Sequence, residues 1–265
     1  MAGPMHVREA GAGLPILMLH GWSCHGGFFD KQMAALAPRF HVLAPDLPGH
    51  GETGSGGPVL SIEAAADACA ALIEARGLRR VLLAGWSMGA SVAWALMARH
   101  GLARIAGLAV VDMSPRPVND ADWRLGLSDG LDTARAEAAA AAMPANWPAF
   151  TERVVSALFP DREINDQPLA AWAGGEVARN DPAAMAAMWR SLVAQDHRAL
   201  LASIEVPVLL AYGAKSALYA PEVFAWMARQ LPNVRLARFD RSGHAPHLTE
   251  AAAFNAMLAR FRLGL

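Results

Sequence analysis

Short apolar runs alternate along the chain with segments of helical periodicity. The runs are continuous rather than alternating, and each is only a few residues long. Such runs are typical of strands that are buried on both faces, as in a parallel sheet. The most apolar runs predict strands at 15–21, 81–87, 105–113 and 206–213, and two less uniform runs predict strands at 41–49 and 234–243.

Helical periodicity fills intervals between the predicted strands. Residues 61–76 carry an apolar stripe, with Ser61 as the candidate N-cap and Gly77 as the stop. A second helix is predicted at 88–100, where Gly101 ends it. The last predicted helix has one apolar face, formed by Phe254, Met257, Leu258 and Phe261. This alternation of strand and helix predicts an α/β fold with right-handed crossovers.

Residues 116–199 break the alternation. They contain Ala-rich helical stretches and several prolines but no run that predicts a strand. We therefore predict a helical cap at 116–199, inserted into an α/β core made of residues 1–115 and 200–265. The tryptophans of the predicted cap are Trp123, Trp147, Trp172 and Trp189.

Composition narrows the functional classes. The chain of 265 residues is 54% hydrophobic and 18% charged, which suits one large domain, with or without an insertion, around a sizeable core. Its net charge of -1 gives no electrostatic reason to expect nucleic acid or an anionic membrane as a partner. The N-terminal residues lack the apolar core of a signal peptide, and no apolar run reaches the length of a membrane helix. We therefore expect a cytoplasmic protein.

One pentapeptide carries candidate chemistry. Gly85-Trp86-Ser87-Met88-Gly89 fits the pattern G-x-S-x-G and lies directly between a predicted strand and a predicted helix. A serine on such a tight turn exposes its hydroxyl at the sheet edge, and the helix N-terminus behind it favours negative charge. We predict that Ser87 is a nucleophile, the alternative being a serine that only shapes the turn.

A serine hydroxyl needs a base, and residues 241–247 offer two histidines after the last predicted strand. His244 follows a glycine at the C-terminal edge of the sheet, where open α/β sheets bind ligands. We predict that His244 is the general base. His247, at the start of the last helix, is expected to have a capping or packing role.

Two backbone N–H groups are needed to stabilise the oxyanion that such a nucleophile creates. We expect one from Met88, directly after Ser87, and the other from Trp22, in the loop after the strand at 15–21. The indole of Trp22 would also line the pocket. His20 is expected to brace this loop as a structural residue.

The segments LHGW, DLPGHG, GWSMG and SGHAPH together resemble the α/β-hydrolase superfamily, almost from end to end of the chain. Within it, the HGW and GWSMG pair is similar to the pimeloyl-[acyl-carrier-protein] methyl ester esterases and to broad-range carboxylesterases around them. The resemblance implies an α/β-hydrolase fold with a sheet of about eight mostly parallel strands and a helical cap after the sixth. It also implies a structural role for Asp46, in DLPGHG.

The acid of the triad is the one part that the resemblance leaves open. Most relatives carry it after the penultimate strand, at the position that Ser216 occupies here. Asp112 ends the strand that follows Ser87 after one helix, so a right-handed crossover places it one strand away, and we predict that it is the acid. Asp112 could instead only cap the start of the cap domain, and Asp240 or Glu222 are the other candidate acids. We expect Asp112→Asn to lower kcat by orders of magnitude and Ser216→Ala to stay near wild type.

These residues predict a serine carboxylesterase that hydrolyses small to medium carboxylic esters through an acyl-enzyme intermediate. The triad chemistry needs no metal or other cofactor, so we expect none. The expected partner is a small-molecule ester with an apolar acyl or aryl group. Tryptophans at helical spacing also serve as packing residues, so the pocket assignment is an expectation. The residues expected to line the pocket are Trp22, Trp123, Trp147, Trp189, Leu218 and Tyr219.

The net charge of residues 116–199 bears on whether the substrate is a small molecule or is bound to a carrier protein. Residues 116–199 contain eight Arg, no Lys and twelve Asp or Glu, whereas an acidic carrier protein would meet a basic face. A carrier protein is therefore not the favoured partner. A carrier-protein methyl ester esterase, a thioesterase or a lactonase would use the same triad, and a cofactor-free perhydrolase or a non-catalytic ligand receptor are further alternatives.

Overall fold

The computed structural model describes residues 5–54, 59–159 and 167–265. Residues 1–4 and 55–58 of the predicted core and 160–166 of the predicted cap lie outside the described residues. Seven strands occur in the described ranges. They are β1 (Val7–Ala10), β2 (Pro15–Leu19), β3 (His41–Pro45), β4 (Val81–Trp86), β5 (Ile105–Val111), β6 (Val208–Gly213) and β7 (Val234–Phe239).

The seven strands form one sheet in the order β1-β3-β2-β4-β5-β6-β7. Every neighbouring pair is parallel except β1 and β3, which are antiparallel. Six of the strands were predicted from their apolar runs, and β1 was not. The parallel order requires crossover connections, and the helices supply them.

Ten α-helices accompany the sheet within the described ranges. They are α1 (Asp30–Leu36), α2 (Ile62–Ala75), α3 (Met88–His100), α4 (Thr133–Ala142), α5 (Trp147–Leu158), α6 (Gln167–Ala178), α7 (Pro182–Val193), α8 (Pro221–Gln230), α9 (Pro246–Thr249) and α10 (Ala251–Leu263). The predicted N-cap is present, since Ser61 Oγ accepts a hydrogen bond from the Ala64 N–H over 3.1 Å. Gly101 ends α3 with a φ of 73°, as glycine readily does. None of the described helices is both long and apolar enough to cross a membrane.

The strands bury both faces, which explains their continuous apolar runs. Along β2, Leu17 and Leu19 pack into a core shared with α2, α3 and α8. Ile16 and Met18 pack on the opposite side of the sheet, in a core shared with α1 and α10. All four side chains are buried. Removing this apolar area from water on both sides of the sheet is the main driving force for the fold.

The crossover from β4 through α3 to β5 places the candidate chemistry. β4 and β5 are adjacent and parallel, and Trp86 pairs with Val111 at their C-terminal ends. Ser87 and Asp112 are the next residues along each strand, so they emerge side by side at one edge of the sheet. This is the arrangement that the strand-order argument predicted.

Helices α4 to α7 lie between β5 and β6, in the segment predicted to be a cap. The described chain has fewer strands than the resemblance implied, so this helical segment follows the fifth strand rather than the sixth. The difference lies at the N-terminal side, because a single antiparallel edge strand, β1, precedes β2 in the described residues. The position of the helical segment relative to Ser87 and Asp112 is unaffected.

Candidate active site

Ser87 occupies the tight turn between β4 and α3. Its backbone has a φ of 52° and a ψ of -122°, a conformation that is strained for a residue other than glycine. The flanking glycines make the turn possible, because a Cβ on Gly89 would lie 2.0 Å from the Leu19 carbonyl oxygen and one on Gly85 would lie 2.5 Å from the Gly89 oxygen. The Ser87 N–H donates to the carbonyl of Val111 over 2.9 Å, which ties the turn to the end of β5. Strain of this kind is typical of functional positions.

Asp112 follows β5 and contacts His244 directly. Its Oδ2 lies 2.6 Å from His244 Nδ1, and both side chains are buried. Asp112 also has a positive φ of 49°, and its N–H donates to the Ala211 carbonyl over 2.8 Å. Burial raises the pKa of the Asp112 carboxyl above its ordinary value, while hydrogen bonds from His244 and Ser216 act in the opposite direction. The bond to Nδ1 orients the imidazole and leaves Nε2 for other partners.

Ser216 is the second side chain that holds Asp112. Its hydroxyl donates to Asp112 Oδ2 over 2.6 Å and is approached at 3.4 Å by the N–H groups of Leu218 and Tyr219. Sequence reasoning missed this contact, because it treated Ser216 only as the place where a carboxylate is absent. In the structure, the Ser216 hydroxyl, which follows β6, bonds to the Asp112 carboxylate at the end of the neighbouring strand β5.

The other candidate acids lie apart from this arrangement. Asp240 follows β7, is 76% exposed and pairs with Arg238 over 2.8 Å. Glu222 is exposed in the first turn of α8, where a carboxylate favours the helix N-terminus. Of these three carboxylates, all within the described residues, only Asp112 hydrogen-bonds to His244.

The histidine loop is anchored by Trp86, which sequence reasoning did not single out. The Trp86 indole N–H donates to the His244 carbonyl over 2.8 Å. His247 packs on Trp86 with ring centroids 4.4 Å apart and is completely buried. Burial lowers the pKa of His247 to about 3, so it is a neutral packing residue, as expected. The available sequence signal for Trp86 was its place at the first x of G-x-S-x-G, directly before Ser87.

The loop after β2 comes close to Ser87. A Cβ on Gly21 would lie 3.3 Å from Ser87 Cβ, so a larger residue would crowd the nucleophile. His20 braces this loop as expected: its Nε2 accepts from the Leu47 N–H over 2.9 Å, so Nδ1 carries the proton and donates to the Gly21 carbonyl over 2.9 Å. Burial lowers the pKa of His20 to about 3, which keeps it neutral in this role.

Asp46 is the second core residue that holds this loop. Its carboxylate accepts from the Gly26 N–H over 2.7 Å and from the Glu52 N–H over 2.9 Å, and the side chain is buried. The carboxylate thereby joins the loop after β2 to the turn after β3. This is a structural contact of the kind that the resemblance implied for Asp46.

The two predicted oxyanion donors are both near the nucleophile. Met88 is the first residue of α3, and helix geometry leaves the N–H of a first residue without an intrahelical acceptor. Trp22 follows Gly21 in the loop beside Ser87, and its backbone N–H donates no hydrogen bond to the described residues. Two donors of this kind next to a serine hydroxyl suit a developing negative charge.

A cavity of about 590 Å³ connects these groups, and both Ser87 and His244 line it. Four of the residues expected in the pocket are among its lining: Trp22, Trp189, Leu218 and Tyr219. Trp123 and Trp147 are not part of that lining. Trp123 packs on Trp226 with centroids 4.9 Å apart, and Trp147 packs behind Trp22 at 5.8 Å.

Most of the remaining cavity wall comes from α4, α5 and the turn between them, in the segment predicted to be a cap. The wall is mainly apolar, and its charged members are Arg153, Arg135 and Asp129, which pairs with Arg135 over 2.8 Å. Sequence reasoning missed these residues, although the spacing of Phe150, Val154 and Leu158 along α5 gave a signal for an apolar face. The wall residues from α4, α5 and the turn between them are Arg135, Ala138, Ala139, Ala142, Met143, Asn146, Phe150, Arg153, Val154, Ala157 and Leu158.

The chain matches the family model described as "Alpha/beta hydrolase family" over residues 16–257. A protein of Chromobacterium violaceum named pimeloyl-[acyl-carrier protein] methyl ester esterase is 32% identical over 96% of this chain and 96% of its own length. A protein of the same name from Aromatoleum aromaticum is 34% identical over 88% of this chain and 92% of its own length. The solved structure of an esterase from Exiguobacterium antarcticum has a TM-score of 0.89 at 21% identity and covers 97% of this chain and 95% of that chain, a likeness of fold.

Proposed function

Because the chain belongs to the alpha/beta hydrolase family, we propose that Ser87, His244 and Asp112 form a catalytic triad that hydrolyses carboxylic esters. The chain is a carboxylic ester hydrolase, in keeping with its relatives. One observation carries the assignment of residues: Ser87 and His244 line one cavity, and the His244 ring is held by the buried carboxylate of Asp112. These are the roles of nucleophile, general base and orienting acid.

Acylation uses His244 Nε2, the ring nitrogen that does not bond to Asp112. Ser87 Oγ attacks the ester carbonyl carbon while its proton passes to His244 Nε2, and Asp112 stabilises the imidazolium that results. The carbonyl oxygen becomes an oxyanion that the N–H groups of Trp22 and Met88 stabilise. The tetrahedral intermediate then collapses, the C–O bond to the alcohol breaks, and His244 returns the proton to the departing alcohol.

Deacylation repeats the sequence with water. His244 Nε2 takes a proton from a water molecule, whose oxygen attacks the acyl carbon and forms a second oxyanion at the same two N–H groups. Collapse releases the carboxylic acid and returns the proton to Ser87 Oγ. The chemistry requires only side chains, backbone N–H groups and water.

The cavity wall supports an apolar substrate group. Ala, Leu, Met, Val and Phe side chains of the cap face the same space as Ser87. Apolar walls with a few polar groups at one end are typical of small-molecule sites. We therefore propose small to medium carboxylic esters with an apolar acyl or aryl group as substrates, and a cytoplasmic location for the reaction.

A carrier-bound methyl ester is the second candidate substrate, and the names of the two relatives favour it. The excess of acidic over basic residues in 116–199 does not suit an acidic carrier, but Arg153 lines the cavity, as does Arg135, which pairs with Asp129 over 2.8 Å. The two candidates differ in a measurable way. A carrier-bound ester should be hydrolysed with a higher kcat/KM than the free methyl ester of the same acid, and added salt should reduce that advantage.

The test of the proposed function is hydrolysis of p-nitrophenyl esters from acetate to laurate by wild type and Ser87→Ala. We expect turnover by wild type, with a burst of p-nitrophenol equal to the enzyme concentration if deacylation is slow. Ser87→Ala should lose nearly all of the turnover and the whole burst. Ser203→Ala is the matched control, since that serine is exposed and its hydroxyl donates to the Leu200 carbonyl over 2.8 Å. Turnover that survives in Ser87→Ala, or no turnover of any ester by wild type, would contradict the proposal.

A further inference from the structure

The loop of residues 21–25, called the β2 loop below, is held by the core on one side and by the cap on the other. On the core side, His20 bonds to the Gly21 carbonyl, and Asp46 bonds to the N–H of Gly26 just beyond the loop. The backbone N–H of Trp22, one of the two proposed oxyanion donors, lies within this loop. Anything that moves the β2 loop therefore moves that donor.

The cap contacts the β2 loop at three of its residues. The Trp22 indole N–H donates to the Met185 carbonyl on α7 over 3.0 Å. The Asn180 side chain, between α6 and α7, donates to the Ser23 carbonyl over 2.8 Å. These bonds connect residues more than a hundred positions apart in the sequence, so they form only when the cap is seated on the core.

The third contact joins the far end of the loop to α6. His25 Nε2 lies 3.1 Å from Glu176 Oε2, and His25 Nδ1 accepts from the Gly27 N–H over 3.1 Å, so Nε2 carries the proton and donates. Glu176 also accepts from Arg179 over 3.1 Å. The Glu176 carboxylate is partly exposed and is shared between His25 and Arg179. It therefore restrains the β2 loop less than the hydrogen bonds from Trp22 and Asn180 do.

Ser23 shows that the loop is under constraint. Its φ is 61°, in the left-handed region that residues other than glycine rarely adopt. Two bonds oppose its relaxation: Ser23 Oγ donates to the Trp22 carbonyl over 2.6 Å, and Asn180 holds the Ser23 carbonyl. Asn180 is thus the cap side chain that fixes the residue next to Trp22.

We propose that Asn180 is a positioning residue for ester hydrolysis: by holding the Ser23 carbonyl, it fixes the backbone N–H of Trp22 in the oxyanion hole. This inference rests on the proposed function, because it assumes that the Trp22 N–H contacts the oxyanion. Asn180 is not part of the lining of the cavity that contains Ser87, so it acts through the loop and not on the substrate. Seating of the cap and completion of the oxyanion hole then become one event.

The kinetic test compares Asn180→Ala and Asn180→Asp with wild type. Both variants remove the amide that donates to the Ser23 and Val177 carbonyls, and the second keeps the size of the side chain. Arg190→Ala is the matched control, because it breaks a cap ion pair with Glu137 (2.7 Å) and leaves the β2 loop untouched. Since loss of an entire oxyanion donor lowers kcat by about 10²–10³, we expect misplacement of one to lower kcat about tenfold with KM within about twofold.

A trifluoromethyl ketone gives a readout that a purely structural role would not change. Ser87 Oγ adds to its carbonyl carbon, the serine proton passes to His244, and the ketone oxygen becomes an oxyanion at the Trp22 and Met88 N–H groups. The corresponding secondary alcohol enters the same cavity without forming an oxyanion. We expect the Asn180 variants to bind the ketone about tenfold more weakly and the alcohol with unchanged affinity.

The outcomes separate this inference from the proposed function. Unchanged kcat and ketone affinity in both Asn180 variants would overturn the inference while the triad assignment stands. Equal losses for ketone and alcohol would also overturn it, because they indicate a distorted cavity. A wild-type protein without ester turnover, or turnover that survives in Ser87→Ala, would overturn both.

Discussion

The hydroxyl of Ser216 donates a hydrogen bond to Oδ2 of Asp112 over 2.6 Å, and the same oxygen accepts from His244 Nδ1. In most members of the superfamily that the sequence resembles, the acid stands at the position of Ser216. Here the carboxylate comes from the end of β5, and the end of β6 supplies a hydroxyl that bonds to it. The two strand ends are neighbours in the sheet, since Val111 pairs with Ala211. Ser216 therefore supports the proposed acid and does not replace it.

Asp112→Asn should lower kcat by about 10³–10⁴ while KM changes little, because an amide can neither fix the required histidine tautomer nor balance the imidazolium charge. Steady-state hydrolysis of p-nitrophenyl butyrate measures the effect. Asp240→Asn is the matched control, since that exposed carboxylate pairs with Arg238. Comparable losses in the two variants, or none in Asp112→Asn, would remove Asp112 from the triad.

Ser216→Ala should lower kcat about tenfold, which corresponds to about 1.4 kcal/mol of transition-state stabilisation. The contact with Asp112 revises the earlier expectation of near-wild-type activity for this variant. KM should stay within about twofold, because Ser216 is not among the residues that line the cavity. Ser216→Thr keeps a hydroxyl and should retain most of the activity. Wild-type kcat in Ser216→Ala would show that the hydroxyl does not support the acid.

The carboxylate should be transferable between the two strand ends. In Asp112→Asn combined with Ser216→Asp, the asparagine tolerates the positive φ of 49° at position 112 and can donate its amide to the new carboxylate. We expect this double variant to be at least about tenfold faster than Asp112→Asn alone. Asp112→Asn with Ser216→Asn is the uncharged control, and equal rates for the two double variants would mean that a carboxylate at 216 cannot orient His244.

Local sequence signals predicted the position of the nucleophile and the proposed acid, but only part of the cavity that surrounds them. The Ser87 turn and its placement beside Asp112 follow from local signals, namely apolar runs, flanking glycines and the handedness of a crossover. Strand β1 was missed because the two middle residues of its four, Arg8 and Glu9, are charged, so it forms no apolar run. The cavity lining was predicted only in part, because it depends on how the cap meets the core. Trp123 and Trp147 fit the expected composition but pack elsewhere, whereas the apolar face of α5 gave a usable signal in Phe150 and Val154.

Ala139→Leu should shorten the range of accepted acyl chains. Ala139 on α4 lines the cavity, so a larger side chain there takes space from a long acyl group. We expect kcat/KM for p-nitrophenyl laurate to fall at least about tenfold, while that for the acetate stays within about twofold. Ala134→Leu, at an exposed position of the same helix that does not line the cavity, is the control. A uniform loss across chain lengths would place the acyl group elsewhere.

Stability should fall when the pH is lowered through the range in which free histidine titrates. Burial lowers the pKa of four imidazoles, to about 3 for His20, His50 and His247 and to about 4 for His197. A group whose pKa is lower in the folded chain than in the unfolded chain stabilises the fold above its unfolded pKa of about 6.5, and that contribution is lost as the pH falls. Between about pH 7.5 and 5, protonation of each such histidine in the unfolded chain lowers the free energy of unfolding by about 2 kcal/mol.

His247→Leu isolates one of these contributions. Both ring nitrogens of His247 lack a hydrogen-bond partner among the described residues, so a side chain of similar size that cannot titrate removes the proton linkage without removing a polar contact. Urea unfolding of wild type and variant at several values between about pH 5 and 7.5 stays above the range where most carboxyl groups titrate. The variant should gain about 2 kcal/mol relative to wild type across that interval, and a constant difference would mean that His247 does not become protonated on unfolding.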